Sequence, residues 1–199
     1  GSWRSRDHGV PEGTDRRPAA GNPPRHRTAL GDGSPRPLPS AVVDEPSEPP
    51  AHVLFVASSG GHLAHLLWLR PWWDGLRRTW VTFDKPDARS LLVDEDVRWA
   101  FHPTTRNLKN LVRNLVLAVR LVPRLRPDVV VSTGAGVAVP FFVVAWLLRI
   151  PTVYVEVFDR IDSRTLTGRL CRPFTTRFLV QWPEQQRLYP GSILIGPLL

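Results

Sequence analysis

The chain predicts an α/β fold, a Rossmann-like parallel sheet with helices on both faces, and three observations carry that prediction. From residue 51 onward, short apolar runs alternate with helical patterns. The runs are continuously apolar rather than alternating, as strands buried on both faces require. The intervals between them are long enough for crossover helices. No internal repeat of fixed period competes with this order.

Residues 1–50 stand apart. They hold 10 of the 21 prolines and almost no apolar periodicity, so they cannot bury enough surface to offset chain entropy. The expectation is a disordered Pro/Arg-rich tail over 1–50 and one domain over 51–199. Seven arginines balance seven acids in the tail, so the net charge of +8 falls on the domain. Such charge calls for an anionic partner: a phosphorylated substrate, an acidic membrane surface or nucleic acid. Nucleic acid is disfavoured, because no helix-turn-helix, zinc or aromatic-sheet signature accompanies the charge. The single cysteine, Cys171, excludes an intramolecular disulfide and a multi-cysteine metal site, and neither metal nor cofactor is expected. No apolar core follows the early arginines, so no signal peptide is read.

The elements follow in order. The first strand, 53–57, breaks into Ser58-Ser59-Gly60-Gly61-His62 and a helix over 63–69. Two glycines between a strand and a helix form either a plain tight turn or a site where backbone N–H groups face a phosphate or diphosphate. Trp68, Trp72 and Trp73 follow, as core packing or as an interfacial anchor. Strands at 79–83 and 97–101 come next. Between Arg106 and Arg126 lie six basic residues and no acid. Leu108, Leu111, Val112, Leu115, Val119 and Val122 fall at helical spacing there, while Lys109, Arg113, Arg120 and Arg124 gather on another face. The apolar face packs on the sheet with the cations solvated, or the cations meet anionic lipid headgroups. Pro123 should end or kink this helix.

The fourth strand, 129–132, leads into Thr133-Gly134-Ala135-Gly136, a second glycine loop, and then an apolar helix over 137–148, buried on the sheet or dipping into a membrane surface. That run is too short to span a bilayer and contains Pro140. A fifth strand, 152–157, carries Glu156 near its end, followed by Asp159-Arg160-Ile161-Asp162-Ser163-Arg164. Strands at 178–180 and 193–195 close the sheet. Open α/β sheets bind ligands beyond the carboxyl ends of their strands, so the loops after the first, fourth and fifth strands carry the functional expectation.

Taken together, Ser59-Gly60-Gly61-His62, Thr133 to Gly136 leading to Pro140, Val153-Tyr154-Val155-Glu156, residues 163–170 and Val180-Gln181-Trp182-Pro183 resemble one family. It is the membrane-anchoring subunit of the two-part N-acetylglucosaminyltransferase of asparagine-linked glycosylation, with its bacterial capsule and exopolysaccharide counterparts. Leu188-Tyr189-Pro190 and Gly196-Pro197 extend the resemblance over nearly all of 52–199.

The resemblance implies the amino-terminal, acceptor-binding half of a GT-B glycosyltransferase, similar to the enzyme that forms lipid II. A separate partner chain would bind the UDP-sugar, and the pair would transfer it with inversion to a polyprenyl-diphosphate-linked acceptor. This chain alone would be inactive. It would work at the cytoplasmic face of a bacterial plasma membrane as a peripheral protein, since the polar residues 1–50 depart from the membrane helix of eukaryotic relatives. High arginine use, with Lys85 and Lys109 the only lysines, is compatible with a GC-rich bacterial genome.

On this reading His62 is the candidate base, or alternatively a diphosphate ligand, and Glu156 orients it or binds the acceptor sugar. Ser58, Ser59, Gly60, Gly61, Thr133, Gly134, Ala135, Gly136, Arg160 and Ser163 hold the diphosphate. Lys109, Arg113, Arg120 and Arg124 face the membrane, and Trp182, Pro183, Pro197 and Leu198 the partner. Two rivals stay open. The chain only recruits its partner, or it is a self-contained nucleotide-binding Rossmann enzyme with Asp84 after the second strand.

Overall fold

A computed structural model describes residues 51–104 and 106–198. The tail expected over 1–50, and Leu199, lie outside the described residues.

Seven parallel strands form one sheet among the described residues, in the order β3-β2-β1-β4-β5-β6-β7. They are β1 (His52–Val56), β2 (Arg77–Phe83), β3 (Val97–Ala100), β4 (Val129–Ser132), β5 (Thr152–Val155), β6 (Arg177–Val180) and β7 (Ile193–Leu194). β1 lies between β2 and β4, with Phe55 opposite Trp80 and Val131. The order reverses at β1, so the loops after β1 and β4 meet at the crevice between neighbouring strands.

Helices cover both faces. On one face pack α4 (Leu108–Leu125), α5 (Ala138–Leu147) and α6 (Leu166–Cys171), against residues such as Leu54, Val130, Tyr154 and Phe178. On the other, α1 (Gly61–Trp68), α2 (Arg70–Trp73) and α3 (Pro86–Leu91) enclose Val53, Phe55, Trp80 and Val131. A short α7 (Pro183–Leu188) joins β6 to β7.

Several expectations are corrected. The helix expected over 63–69 is present as α1 and stops at Trp68; Pro71 lacks the N–H that would bond the Leu67 carbonyl, and a separate helical turn, α2, follows at Arg70. The three tryptophans divide: Trp73 is buried, its indole N–H donating to the Leu66 carbonyl at 2.8 Å, while Trp68 and Trp72 are exposed. Pro123 neither ends α4 nor stops it short of Leu125. The carbonyl it leaves unpaired belongs to exposed Val119, where water can satisfy it, and Arg126 N–H still bonds Val122.

The largest correction concerns which face of α4 turns inward. Leu108 is 73% exposed and Val119 54%, with Val112 and Leu115 also outside. The buried residues are Asn110, Asn114, Ala118, Leu121 and Val122. Asn114 explains the choice: its amide donates to the Phe101 carbonyl and accepts from the Phe101 N–H, both at 2.9 Å. Asn110 donates to the Pro103 carbonyl at 2.9 Å. The asparagines answer backbone groups that leave β3 without a ladder partner, and Ala118 leaves room for α5 to pack close.

Candidate functional site

Two glycine loops meet at the carboxyl edge of the sheet. After β1 the chain turns through Gly60, whose φ of 75° and ψ of −138° lie in a region open to glycine alone. Its N–H donates to the Asp87 carboxylate at 2.7 Å. After β4, Gly134 takes φ 113° and Ala135 φ 67°. A Cβ on Gly134 would stand 2.7 Å from the Tyr154 hydroxyl and 3.2 Å from His62 Cε1. Glycine is what lets this loop pass against the His62 ring.

A reciprocal pair of hydrogen bonds clasps the loops together. His62 Nδ1–H donates to the Thr133 carbonyl at 2.9 Å, and the Thr133 hydroxyl donates to the His62 carbonyl at 2.6 Å. The first bond fixes the tautomer. With the proton on Nδ1, the neutral ring carries its lone pair on Nε2. Burial holds the pKa of His62 below its ordinary 6.5, opposed by the Thr133 carbonyl and by Asp159.

His62 stands between two cavities. One, of about 340 Å³, is lined by Gly61, His65, Tyr154, Val157, Phe158, Asp159, Arg160 and Thr165. The other, of about 430 Å³, is lined by Ser58, Ser59, Phe83, Lys85, His102, Pro103, Thr104 and Gly136. His62, Ala135 and Thr167 line both. The expected residues Ser58, Ser59, Gly61, His62, Ala135, Gly136 and Arg160 thus converge, with Thr133 and Gly134 directly behind them. Ser163 is exposed and lines neither cavity.

Glu156 does not reach the site. It is fully buried and lines neither cavity. Its carboxylate accepts from the Thr165 hydroxyl at 3.0 Å and the Val157 N–H at 3.1 Å, and its carbonyl accepts from Gln181 at 2.9 Å. A Cβ on Gly168 would meet oxygens of Glu156, Thr165 and Tyr189, each at 2.7 Å. Desolvation raises the Glu156 pKa, opposed by hydrogen bonds from Tyr189, Thr165 and the Val157 N–H. Its geometry is that of a strut fastening loop 157–165 to α6 and the end of α7. Gln185 and Trp182 hold the same loop, donating to the carbonyls of Val157 and Phe158 at 2.6 and 2.9 Å.

Lys85, His102, His65 and Phe158 are residues the sequence reading missed. Lys85 and His102 follow the ends of β2 and β3, where the carboxyl-edge rule already pointed. Asp84, the residue that kept a dinucleotide reading open, is held by Arg89 Nη2 at 2.8 Å. Among the described residues no cluster of three or more His, Cys, Asp or Glu is arranged to hold a metal.

Away from this edge, Lys109, Arg113, Arg120 and Arg124 are all exposed on α4, and the Arg113 guanidinium lies over Phe101 at 5.4 Å. Pro183 and Pro197 are exposed, and Leu198 N–H bonds Gln181 at 3.1 Å. Leu198 joins Leu69, Trp72, Val153, Val155, Leu179 and Ile195 around an apolar cavity of about 430 Å³. Among the described residues no helix is long and apolar enough to cross a membrane.

The seven-stranded parallel sheet with helices on both faces and glycine loops at its carboxyl edge is a Rossmann-like fold of the GT-B-like kind. MurG of Acinetobacter baumannii shares it, with a TM-score of 0.61 at 20% identity over 74% of this chain and 45% of that one. Residues 97–198 match the family described as "Oligosaccharide biosynthesis protein Alg14 like", over half of the chain, and the chain belongs to that family. The UDP-N-acetylglucosamine transferase subunit ALG14 of Rattus norvegicus is 27% identical over 178 residues, 74% of this chain and 82% of that protein. The Mus musculus subunit is 36% identical over 85 residues, 40% of this chain and 39% of that protein. The match to the mouse relative thus spans about two fifths of its length.

Proposed function

We propose that this chain is the acceptor-binding subunit of a two-part glycosyltransferase, whose separate partner chain binds the UDP-sugar. The joined pair transfers the sugar to a polyprenyl-diphosphate-linked acceptor. The observation that carries this reading is the clasped His62 ring, with Nδ1 committed to Thr133 and Nε2 left as the basic nitrogen between two cavities. An acceptor hydroxyl attacks the anomeric carbon, its proton passes to Nε2, and the bond to the UDP oxygen breaks with its electron pair leaving on UDP. One such displacement inverts the anomeric centre. Membership of the Alg14-like family and the subunit names of the rat and mouse relatives support the division of labour.

The exposed apolar stripe of α4, flanked by Lys109, Arg113, Arg120 and Arg124, supports peripheral docking on an anionic membrane at its cytoplasmic face. The apolar cavity beside Leu198 supports a partner contact there, with Trp182, Pro183 and Pro197 nearby in sequence. The excess of arginine over lysine supports a bacterial setting in surface polysaccharide assembly.

The test is sugar transfer from UDP-sugars to membrane lipid acceptors by this chain, the donor subunit, and both together. Activity is expected only with both. His62→Ala should lower turnover by about 10²–10⁴-fold while the subunits still co-purify. Protonation disables the base, and burial holds its pKa under 6.5, so kcat/KM should fall only as pH drops below that value. Undiminished turnover by the His62 variant would remove the base assignment, and activity of the donor subunit alone would leave this chain a recruiter.

A further inference from the structure

The two cavities beside His62 differ in chemistry, and we propose that they sort the parts of the acceptor. The cavity bounded by Lys85 and His102 takes the diphosphate, and the one bounded by Phe158 and His65 takes the sugar ring attached to it. The assignment rests on the acceptor-binding reading above.

Charge separates the two. The Lys85 cavity presents an ammonium group, an imidazole and the hydroxyls of Ser58 and Ser59, and no carboxylate lines it. None of the ion pairs among the described residues involves Lys85. Gly136 lines the same cavity shortly before α5 begins, and the amino-terminal end of that helix adds positive potential. A group carrying two phosphates gains from each of these features.

The Phe158 cavity is built for a neutral ligand. Asp159 and Arg160 bring opposite charges to its wall, so it has no net charge, and the Asp159 carboxylate would repel a phosphate while accepting bonds from hydroxyls. Phe158 offers an aromatic face next to His65, the ring centroids 5.1 Å apart. The aromatic wall that the two rings form suits the apolar C–H face of a sugar ring. Both volumes, about 340 and 430 Å³, fall in the roughly 300–1,000 Å³ range of small-molecule sites. Diphosphate and first sugar are covalently joined, so their sites must adjoin, and these two share His62, Ala135 and Thr167.

The experiment titrates inorganic diphosphate into the full chain by calorimetry, with farnesyl diphosphate and UDP as competitors. Lys85 and His102 are exposed, so their substitution spares the core. Lys85→Ala and His102→Ala should each weaken diphosphate binding about tenfold, with Lys85→Arg restoring part of it. Phe158→Ala should keep diphosphate affinity and raise the KM for the lipid acceptor in the two-subunit assay. Farnesyl diphosphate should displace the probe better than UDP. Unchanged binding in the Lys85/His102 double variant, or loss of binding in the Phe158 variant, would overturn the proposal. Stronger displacement by UDP would assign the cavity to a nucleotide and overturn the acceptor assignment. Diphosphate binding that depends on Lys85, without sugar transfer by the subunit pair, would leave the subsite standing and remove the transferase reading.

Discussion

α4 and α5 pack on each other over the same face of the sheet, yet they obey different rules. α5 is apolar on every side and buries Phe141, Phe142, Val144 and Ala145, as its composition demands. α4 has a strongly amphipathic pattern and turns most of the expected face outward, keeping Val122 inside and burying two asparagines where the rest was expected. The difference teaches that hydropathy orients a helix only where the neighbouring backbone is already paired. Next to Phe101 and Pro103 it is not, and the asparagines decide.

Three variants sharpen or break this comparison. Phe141→Ala removes a fully buried ring from α5 and should cost about 3–5 kcal/mol in urea unfolding. A cost below about 1 kcal/mol would mean that α5 is not core. Asn114→Ala leaves the Phe101 N–H and carbonyl unmet, and should cost about 2–4 kcal/mol. If the variant unfolds with wild-type stability, α4 is oriented by its apolar stripe after all. Leu115→Glu with Val119→Glu should change stability by no more than about 0.5 kcal/mol per site, yet reduce co-sedimentation with anionic vesicles. Vesicle binding equal to wild type would detach the stripe from any membrane role.

The fold was largely legible, because buried parallel strands announce themselves as apolar runs: 129–132 coincides with β4, and the other six strands fall within about two residues of expectation. The site was half legible. His62 and both glycine loops could be read because each stands at a strand-to-helix junction with its own local signal. Lys85 and His102 carry no such signal: they come to the site only because β2 and β3 follow one another on the same side of β1, an order that no local pattern encodes. His65 stands one helical turn after His62 on α1 and reads in sequence as an ordinary core residue. Glu156 was misread for the opposite reason. A carboxylate at a strand end looks the same in sequence whether it faces a ligand or, as here, the Thr165 hydroxyl and Gly168.

The central place of β1 also sets how the chain acquires its structure. β1 is the earliest strand among the described residues, and one flank pairs with β2, 25 residues later at His52 and Arg77. Its other flank waits for β4, with His52 N–H bonding Asp128 across 76 positions. During synthesis a largely apolar strand therefore stays half-paired until β4 emerges, and the native state is reached through distant contacts that form slowly. Over that interval this segment is a ready partner for chaperones and for neighbouring nascent chains, a hazard that ends when β4 closes the second flank.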